Sequence, residues 1–598
     1  MSAQQLITDH LDLWTGAVTH KSGSGRSASG KNGKIELTGI KKLRELILEL
    51  AVRGKLVEQD PSEEPASVLL DRIAEEKTRL VKEGKIKKPK NLKEVADEEK
   101  PFGLPEGWAW ARMEAVSEYI QRGKGPKYAE SGKVRVISQK CVQWSGLDLS
   151  TARFVDDNSL KGYQDERYIR KNDILWNSTG TGTVGRAIVV KESQHSTVVD
   201  SHVTIVRPLV AEPSHILNYI SSPSVQQRIE PDHENSLVSG STKQVELNSG
   251  SVKLLAVPLP PLSEQHRIVK KVDELMAICD RLEQQVGDQL EAHKVLVDTL
   301  LDALTHSTDA AELAEHWARV AEHFDTLFTT EASIDKLKQT ILQLAVMGRL
   351  VEQDPNDEPA RVLLERIAEE TDRLVTEGKI KKVKNLPPVK DEERTFGIPK
   401  EWEWVHFSDV VKDLKYGTSK KCYYDPKNTA VLRIPNVAEG QVSTKDLKFA
   451  EMSQQEQNDF ILSPGDLLFI RSNGSSSIVG RCAIIDKEMH GYAYAGYLVR
   501  ARIFTRYIHT KYLKLTMDSL AVRKQIEQPI RTTSGVKNIN STELKRIVFP
   551  LPPLDEQHRI VDKVEELMAL CDQLKTHLSE CGKTRSQLAE TVVEQALS

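Results

Sequence analysis

The chain contains much of itself twice. Residues 40–92 and 334–386 align without a gap at an offset of 294, and 38 of the 53 positions are identical. A second pair, 258–282 and 550–574, repeats at an offset of 292, from PLPPLSEQHRIVKKVDELMAICDRL to PLPPLDEQHRIVDKVEELMALCDQL. Between these copies lie 107–257 and 401–549, each the size of a small domain and almost wholly diverged. The order is scaffold, variable block, scaffold, variable block, scaffold, and any fold must place two different modules on one duplicated frame.

The duplication is also permuted. At the 292 offset Ser598 corresponds to His306, where the central scaffold continues, and VAEHFD (320–325) faintly echoes ITDHLD (7–12). The N-terminal scaffold therefore reads as the continuation missing from the C-terminal one. The two chain ends are expected to meet and close a pseudo-twofold ring.

Periodicity makes the scaffold helical. Ile268, Val272, Leu275, Cys279, Leu282 and Val286 alternate four and three apart, as do Ile560, Val564, Leu567, Cys571, Leu574 and Leu578. That spacing is a coiled-coil seam. Ser263 and Asp555 stand where helix N-caps are expected, and His266 and His558 read as first-turn surface residues. In the other repeat Gly54 and Gly348 end one helix, Pro65 and Pro359 open the next, and Gly84 and Gly378 stop it. KIKKPK (85–90) and KIKKVK (379–384) touch phosphates or serve as solvated linker. Residues 21–34, KSGSGRSASGKNGK, read as a flexible linker.

The variable blocks change to short β-branched runs such as VRVIS (134–138) and VTIVR (203–207), separated by Gly, Asn and Ser clusters. They share one skeleton: NDILWNSTGTGTVGRAIVV (172–190) stands opposite GDLLFIRSNGSSSIVGRCAII (465–485). Each is an apolar strand, a Gly/Ser/Thr/Asn loop, Gly-Arg and a second strand. Trp108, Trp110, Trp402 and Trp404 alternate along strands and read as core anchors. The expected domains are a helical region 1–106, a recognition module 107–257, a helical region 258–400, a second module 401–549 and a coiled-coil helix 550–598. The fold class is α+β.

Charge follows the same division. The net charge is -4, but the two blocks together carry +8 and the scaffold -12. Such separation suits anion-facing modules on an acidic frame. Six scattered cysteines lack C-x-x-C spacing, no apolar run reaches a membrane span, and MSAQQLITDHLDLW lacks the order of a secretory signal. The cytoplasm is the expected compartment, with no metal site.

Catalytic motifs fail on context. Gly180, Gly182 and Gly185 spell G-x-G-x-x-G, but a strand-like RAIVV follows where a dinucleotide site needs a helix. Gly25, Gly30 and Lys31 approach a phosphate loop, yet Asn32 replaces its Ser/Thr. The Pro-Pro pairs at 260–261, 387–388 and 552–553 lack the Asp/Asn and aromatic flanks of an N6-adenine methyltransferase motif. No catalytic residue is assigned. A single-chain methyltransferase and a coiled-coil scaffold without DNA binding stay as alternatives, disfavoured by the missing motifs and by the two basic blocks.

The chain resembles the specificity subunit of type I restriction-modification systems. PLPPLSEQHRIV (258–269) and PLPPLDEQHRIV (550–561) look like that family's junction from recognition domain into helix. LPEGWAW (104–110) and IPKEWEW (398–404) look like the approach to each domain, and the two Gly-Arg segments look like its recurrent glycine loop. The resemblance implies two target-recognition domains on an antiparallel coiled coil, with two methyltransferase and two motor-nuclease subunits as partners. It implies a bipartite double-stranded DNA target with a non-specific gap. Adenine is then methylated by the partner, and S-adenosylmethionine, ATP and Mg belong to the partner subunits.

DNA sequence is read at base edges, while phosphate contacts fix register. The first block offers Lys124, Lys127, Ser138, Gln139, Lys140, Asn177, Ser178, Thr179, Thr181, Thr183, Arg186, Lys243 and Gln244. The second offers Lys415, Ser419, Lys420, Arg433, Asn436, Arg471, Ser472, Asn473, Ser475, Ser476, Ser477, Arg481, Arg531, Thr532, Ser534 and Lys537. Glycine loops are also ordinary turns, and Arg186 and Arg481 also suit structural ion pairs.

Overall fold

The computed structural model of the chain describes residues 3–20, 35–88, 93–180, 182–192, 196–241, 244–380, 386–527, 531–533 and 536–597. The expected linker 21–34 and the imperfect phosphate loop within it lie outside the described residues, as do parts of the two KIKK segments. Two compact units emerge. One combines the described residues up to Asp288 with residues 582–597, and the other runs from Gln289 to Cys581. Among the described residues no helix is long and apolar enough to cross a membrane.

Two long helices carry the scaffold, Leu262–His306 (45 residues) and Leu554–Leu597 (44 residues). Each begins in one unit and ends in the other. Seam residues Ile268, Val272, Leu275, Cys279, Ile560, Val564 and Cys571 are buried. In the second unit Ile560, Val564 and Cys571 share a core with Val297, Leu301 and Leu304 of the other long helix, and with Ile334, Leu337 and Ile341 of Glu331–Val346. The seam is thus buried against a third helix as well. In the first unit Thr38–Val52 takes the third place: Arg44 binds Asp280 (2.7 Å) and Glu283 (2.8 Å), and Lys42 lies 3.8 Å from Glu590.

The permuted reading holds within these units. In the second unit the end of the long helix continues through Ala310–Glu322 and Phe324–Leu327 into Glu331–Val346. In the first unit the same succession is made from the chain's beginning, Ala3–Asp9, Leu11–Gly16 and Thr38–Val52, packed on residues 582–597. Lys55 Nζ donates to the Leu597 carbonyl (2.8 Å), and its repeat counterpart Arg349 donates to the Ser307 carbonyl (2.7 Å) and the Thr305 carbonyl (3.4 Å).

Each unit carries one mixed module with the same sheets. In the first, Ala187–Val189, Ile174–Asn177, Val203–Pro208 and Ser117–Arg122 lie side by side, all antiparallel. In the second, Cys482–Ile484, Leu467–Ile470, Leu498–Ile503 and Val411–Tyr416 do the same. A smaller sheet in each joins a strand in parallel: Arg135–Ile137 with Thr197–Val199, and Thr429–Leu432 with Ala493–Tyr494. The chain enters and leaves each module as one two-stranded ribbon, Ala109–Arg112 with Ala256–Leu259 and Glu403–His406 with Val548–Leu551.

One expectation about the scaffold is corrected. The long helices begin at Leu262 and Leu554, so Ser263 and Asp555 lie inside the first turn and are not N-caps. The Pro261 and Pro553 carbonyls already accept from the amides of Gln265 and Gln557, both at 2.9 Å. The glycine stops stand as read, with φ of +70° at Gly54 and Gly84 and +68° and +69° at Gly348 and Gly378. Pro65 and Pro359 hold the positions just before Ala66–Lys82 and Ala360–Thr376.

These glycines generate a prediction. At Gly84 a Cβ would meet nothing within 4 Å, whereas at Gly54 it would collide with the Pro105 ring beside Trp108. Gly84→Ala should therefore cost only the left-handed backbone penalty, about 1–2 kcal/mol. Gly54→Ala should lower the thermal midpoint clearly further. Equal midpoints for the two variants, measured by differential scanning calorimetry, would show that the Pro105 contact carries no weight.

Candidate nucleic-acid interface

Both modules build their glycine loop on the same bidentate ion pair to a buried carboxylate. Asp173 heads the first loop strand and takes two hydrogen bonds from Arg207, Nε at 2.6 Å and Nη2 at 2.8 Å. Asp466 takes the equivalent pair from Arg502, both at 2.8 Å. A buried carboxylate in a variable block invites a catalytic reading. The bidentate guanidinium makes it a fixture of the sheet.

From that strand the first loop turns at Gly180 (φ +100°), Gly182 (+80°) and Gly185 (+89°) and returns as the strand Ala187–Val189. The absence of a following helix excludes a dinucleotide site here. The Gly185 carbonyl accepts from Trp176 Nε1 (3.1 Å) and Gln226 Nε2 (3.2 Å). Arg186 closes the loop through the Gly182 carbonyl (2.6 Å) and the Gln143 amide oxygen. Thr179 binds Gln139 Oε1 (3.1 Å) and His202 Nδ1 (2.7 Å), and it bridges Glu246 of the hairpin formed by Val238–Ser241 and Gln244–Leu247.

The second loop is longer and held differently. Ser472–Asn473 pairs with Val536–Asn538, putting Asn473 opposite Lys537. Asn473 Oδ1 accepts from the Ser475 amide (3.0 Å), and the Ser475 and Ser477 hydroxyls lie 2.9 Å apart. Arg523 supports the loop from below through the carbonyls of Val479 (2.9 Å) and Ser476 (3.2 Å). Arg471 lies over the Tyr416 ring at 4.7 Å, and Arg481 donates to the Ala438 carbonyl (3.3 Å).

The structure sorts the expected contact residues into three groups. Lys124, Lys127, Lys140, Ser419 and Lys420 are exposed. Ser138, Gln139, Thr179, Thr183, Arg186, Lys415, Arg433, Arg471, Asn473, Ser475, Ser476, Ser477, Arg481 and Lys537 are partly so. Four others are corrected, because they are buried. Asn177 donates to the carbonyls of Gln139 (3.0 Å) and Val142 (3.4 Å), and Ser178 shares a hydrogen bond with Thr204 (2.6 Å). Asn436 binds the Ser443 carbonyl (2.8 Å) and the Arg433 amide (2.9 Å), and Ser472 is enclosed in its strand. The two asparagines anchor their loops to main chain, the Ser178 hydroxyl is bonded to a neighbouring side chain, and burial keeps all four from a base edge. Thr181, Lys243 and Ser534 lie outside the described residues. Gln244, Arg531 and Thr532 sit on described strands whose side chains there are not described.

Charge compensation divides the cations further. Lys415 pairs with Asp459, Lys420 with Glu456 and Arg433 with Asp446, each at 2.7 Å. The Lys420 ammonium holds the Glu456 carboxyl down to about 2, and Arg433 lowers that of Asp446. No carboxylate among the described residues comes within 4.0 Å of Lys124, Lys127 or Lys140. The loop supports Gln143, His202, Gln226 and Arg523 were missed in the sequence. They lie 23 to 47 residues from the loop atoms they hold, and nothing local marks them.

Two modules of one topology, each presenting a Gly-Arg loop beside a terminal hairpin, joined alike to a duplicated helical frame, define a two-site reader of a polyanion. The family description "Type I restriction modification DNA specificity domain" matches residues 105–292 and 399–580, more than half of the chain. The chain belongs to that family. It is 38% identical over all of its length to the type I restriction enzyme EcoEI specificity subunit and 39% identical to the EcoAI specificity subunit, both from Escherichia coli and both covered in full. The EcoKI specificity subunit of Escherichia coli K12 is 23% identical over 82% of this chain and 89% of its own length. As a specificity subunit the chain recognises DNA sequence and is not the catalytic component of its system.

The uncompensated lysines give the second prediction. Lys140→Ala should lower the slope of log K against log salt by about one unit on specific and random DNA alike. Lys420→Ala should change it far less, because Glu456 already balances that charge. Fluorescence anisotropy of the assembled complex across a salt series measures both, and equal slope changes would contradict the division.

Proposed function

We propose that each module reads one half of a bipartite double-stranded DNA target and that the helical frame sets the gap between halves. In this reading two methyltransferase subunits dock on the repeated scaffold, and two motor-nuclease subunits join for restriction. The partner subunits supply S-adenosylmethionine, ATP and Mg, and adenine is the methylated base. One observation carries the reading: the same sheet, bidentate Asp-Arg pair and scaffold junction occur twice, while the loops they present differ in length, sequence and charge balance. A duplicated frame with unlike loops fits two unlike half-sites, where a symmetric reader would repeat its loops.

Exchange of residues 107–257 for the first block of another family member tests this. With partner subunits present in cells, methylation mapping should show one half-site changed and the other retained. A change in both half-sites would mean that the modules do not read independently.

A further inference from the structure

Beside each glycine loop stands a second loop that the two modules share in frame but not in sequence. In the first module it follows Arg135–Ile137 and is closed by the Asp148 amide donating to the Cys141 carbonyl (2.8 Å). In the second it follows Thr429–Leu432 and is closed by the Ser443 amide donating to the Asn436 carbonyl (2.8 Å). The closing residues stand seven positions apart in both. Each loop is latched to the arginine of its glycine loop, Gln143 Oε1 to Arg186 and the Ala438 carbonyl to Arg481 (3.3 Å).

The residue at the corner differs. Val142–Gln143 and Gly146–Leu147 pair as a hairpin with Trp144 and Ser145 at its turn, and Trp144 is 54% exposed. It is the one exposed tryptophan among the described residues, and a tight turn holds it with little freedom to fold back. The equivalent position is Glu439, also exposed, one residue before Gly440 (φ +79°). Exposed indole surface is unfavourable in water by roughly 25 cal/mol per Å², so a partner that covers it gains affinity.

We propose that these corners are a second reading element beside the glycine loops. Trp144 makes an apolar contact with a thymine 5-methyl group in one half-site, and Glu439 accepts from a cytosine N4 amino group in the other. In the major groove thymine alone presents a methyl. Cytosine itself presents a donor and no acceptor, whereas guanine offers only acceptors and adenine carries an acceptor beside its donor. The latches bind each corner to its glycine loop, which the proposed reading turns toward DNA. The proposal rests on the two-half-site reading above, which methylation mapping of the wild-type complex decides independently.

The experiment uses the full chain assembled with its methyltransferase subunits and duplexes of the mapped site. Each thymine of the first half-site is replaced in turn by uracil, which removes only the methyl. The wild type should lose affinity about tenfold at one thymine. Trp144→Ala should bind the parent duplex about tenfold more weakly and show no further loss with uracil there, while Trp144→Phe keeps the uracil effect. Glu439→Gln should relax the preference at one cytosine of the second half-site and leave the first unchanged. Retention of second half-site selectivity in Trp144→Ala shows that the variant is folded. A wild type indifferent to every uracil, a Trp144→Ala protein as sensitive as wild type, or equal losses on specific and random DNA would each overturn the assignment.

Discussion

A buried carboxylate in the first turn of each long helix fixes where everything else can be. Glu264 accepts from Gln59 Nε2 (2.8 Å) and Trp108 Nε1 (3.0 Å), and Glu556 accepts from Gln353 Nε2 (2.6 Å) and Trp402 Nε1 (2.8 Å). One side chain thus ties the helical repeat, the strand leading into the module and the rod on which the module stands. Burial pushes both carboxyls above the usual carboxylate range. The two donors and the positive end of the helix dipole oppose that shift, each hydrogen bond to the charged form contributing about 1.5–3 kcal/mol. The next residues extend the joint. Gln265 and Gln557 accept from the Glu212 and His509 amides, both at 2.8 Å, which head an inner helix of each module, and Arg267 and Arg559 pair with Glu63 and Asp357. His266 and His558 differ in their surroundings, the first 3.4 Å from Glu212 and the second against the His509 ring at 4.3 Å.

With position secured by the joint, the outer face of each module is free to diverge, and it diverges in electrostatics as well as in shape. By composition the second block is the more basic, at +6 against +2 for the first. The structure reverses the expectation for the residues nearest the loops. Lys415, Lys420 and Arg433 are each balanced by a local carboxylate, while Lys124, Lys127 and Lys140 are not. Counterion release depends on charge that is still available to a phosphate, so the net charge of a block does not by itself measure its hold on the backbone.

The frame was legible in the sequence because its physics is local and periodic. The 3.5-residue seam, the glycine stops at 54, 84, 348 and 378, and the alternating tryptophans each announce themselves within one turn or one strand, and the repeat doubles every such signal. The contact residues were less legible because exposure is a tertiary property. Asn177 and Asn436 have the composition of base readers, yet both are buried and bonded to main chain. Gln143 and Arg523 carry no local signal, since the loops they hold reach them only through the folded sheet. The N-cap reading of Ser263 failed for a related reason: the ribbon keeps Pro258 and Leu259 in a strand, and the helix begins at once after Pro261.

The permutation has a physical consequence for the frame. In the second unit the long helix, the short helices and Glu331–Val346 form one continuous chain, so ordering one brings the others close at little further entropic cost. In the first unit the equivalent pieces are the two ends of the polypeptide, and only non-covalent contacts unite them. The arginine of that joint, Arg585, donates to the Gly16 carbonyl (3.4 Å), Lys42 lies near Glu590, Lys55 caps the Leu597 carbonyl, and Trp14 is fully buried beneath them. A frame built to present two modules equivalently must make this joined end as well defined as the continuous one. The retention of a cation at 55 and 349, each reaching a carbonyl at the end of a long helix, is how the sequence meets that requirement with different covalent connections.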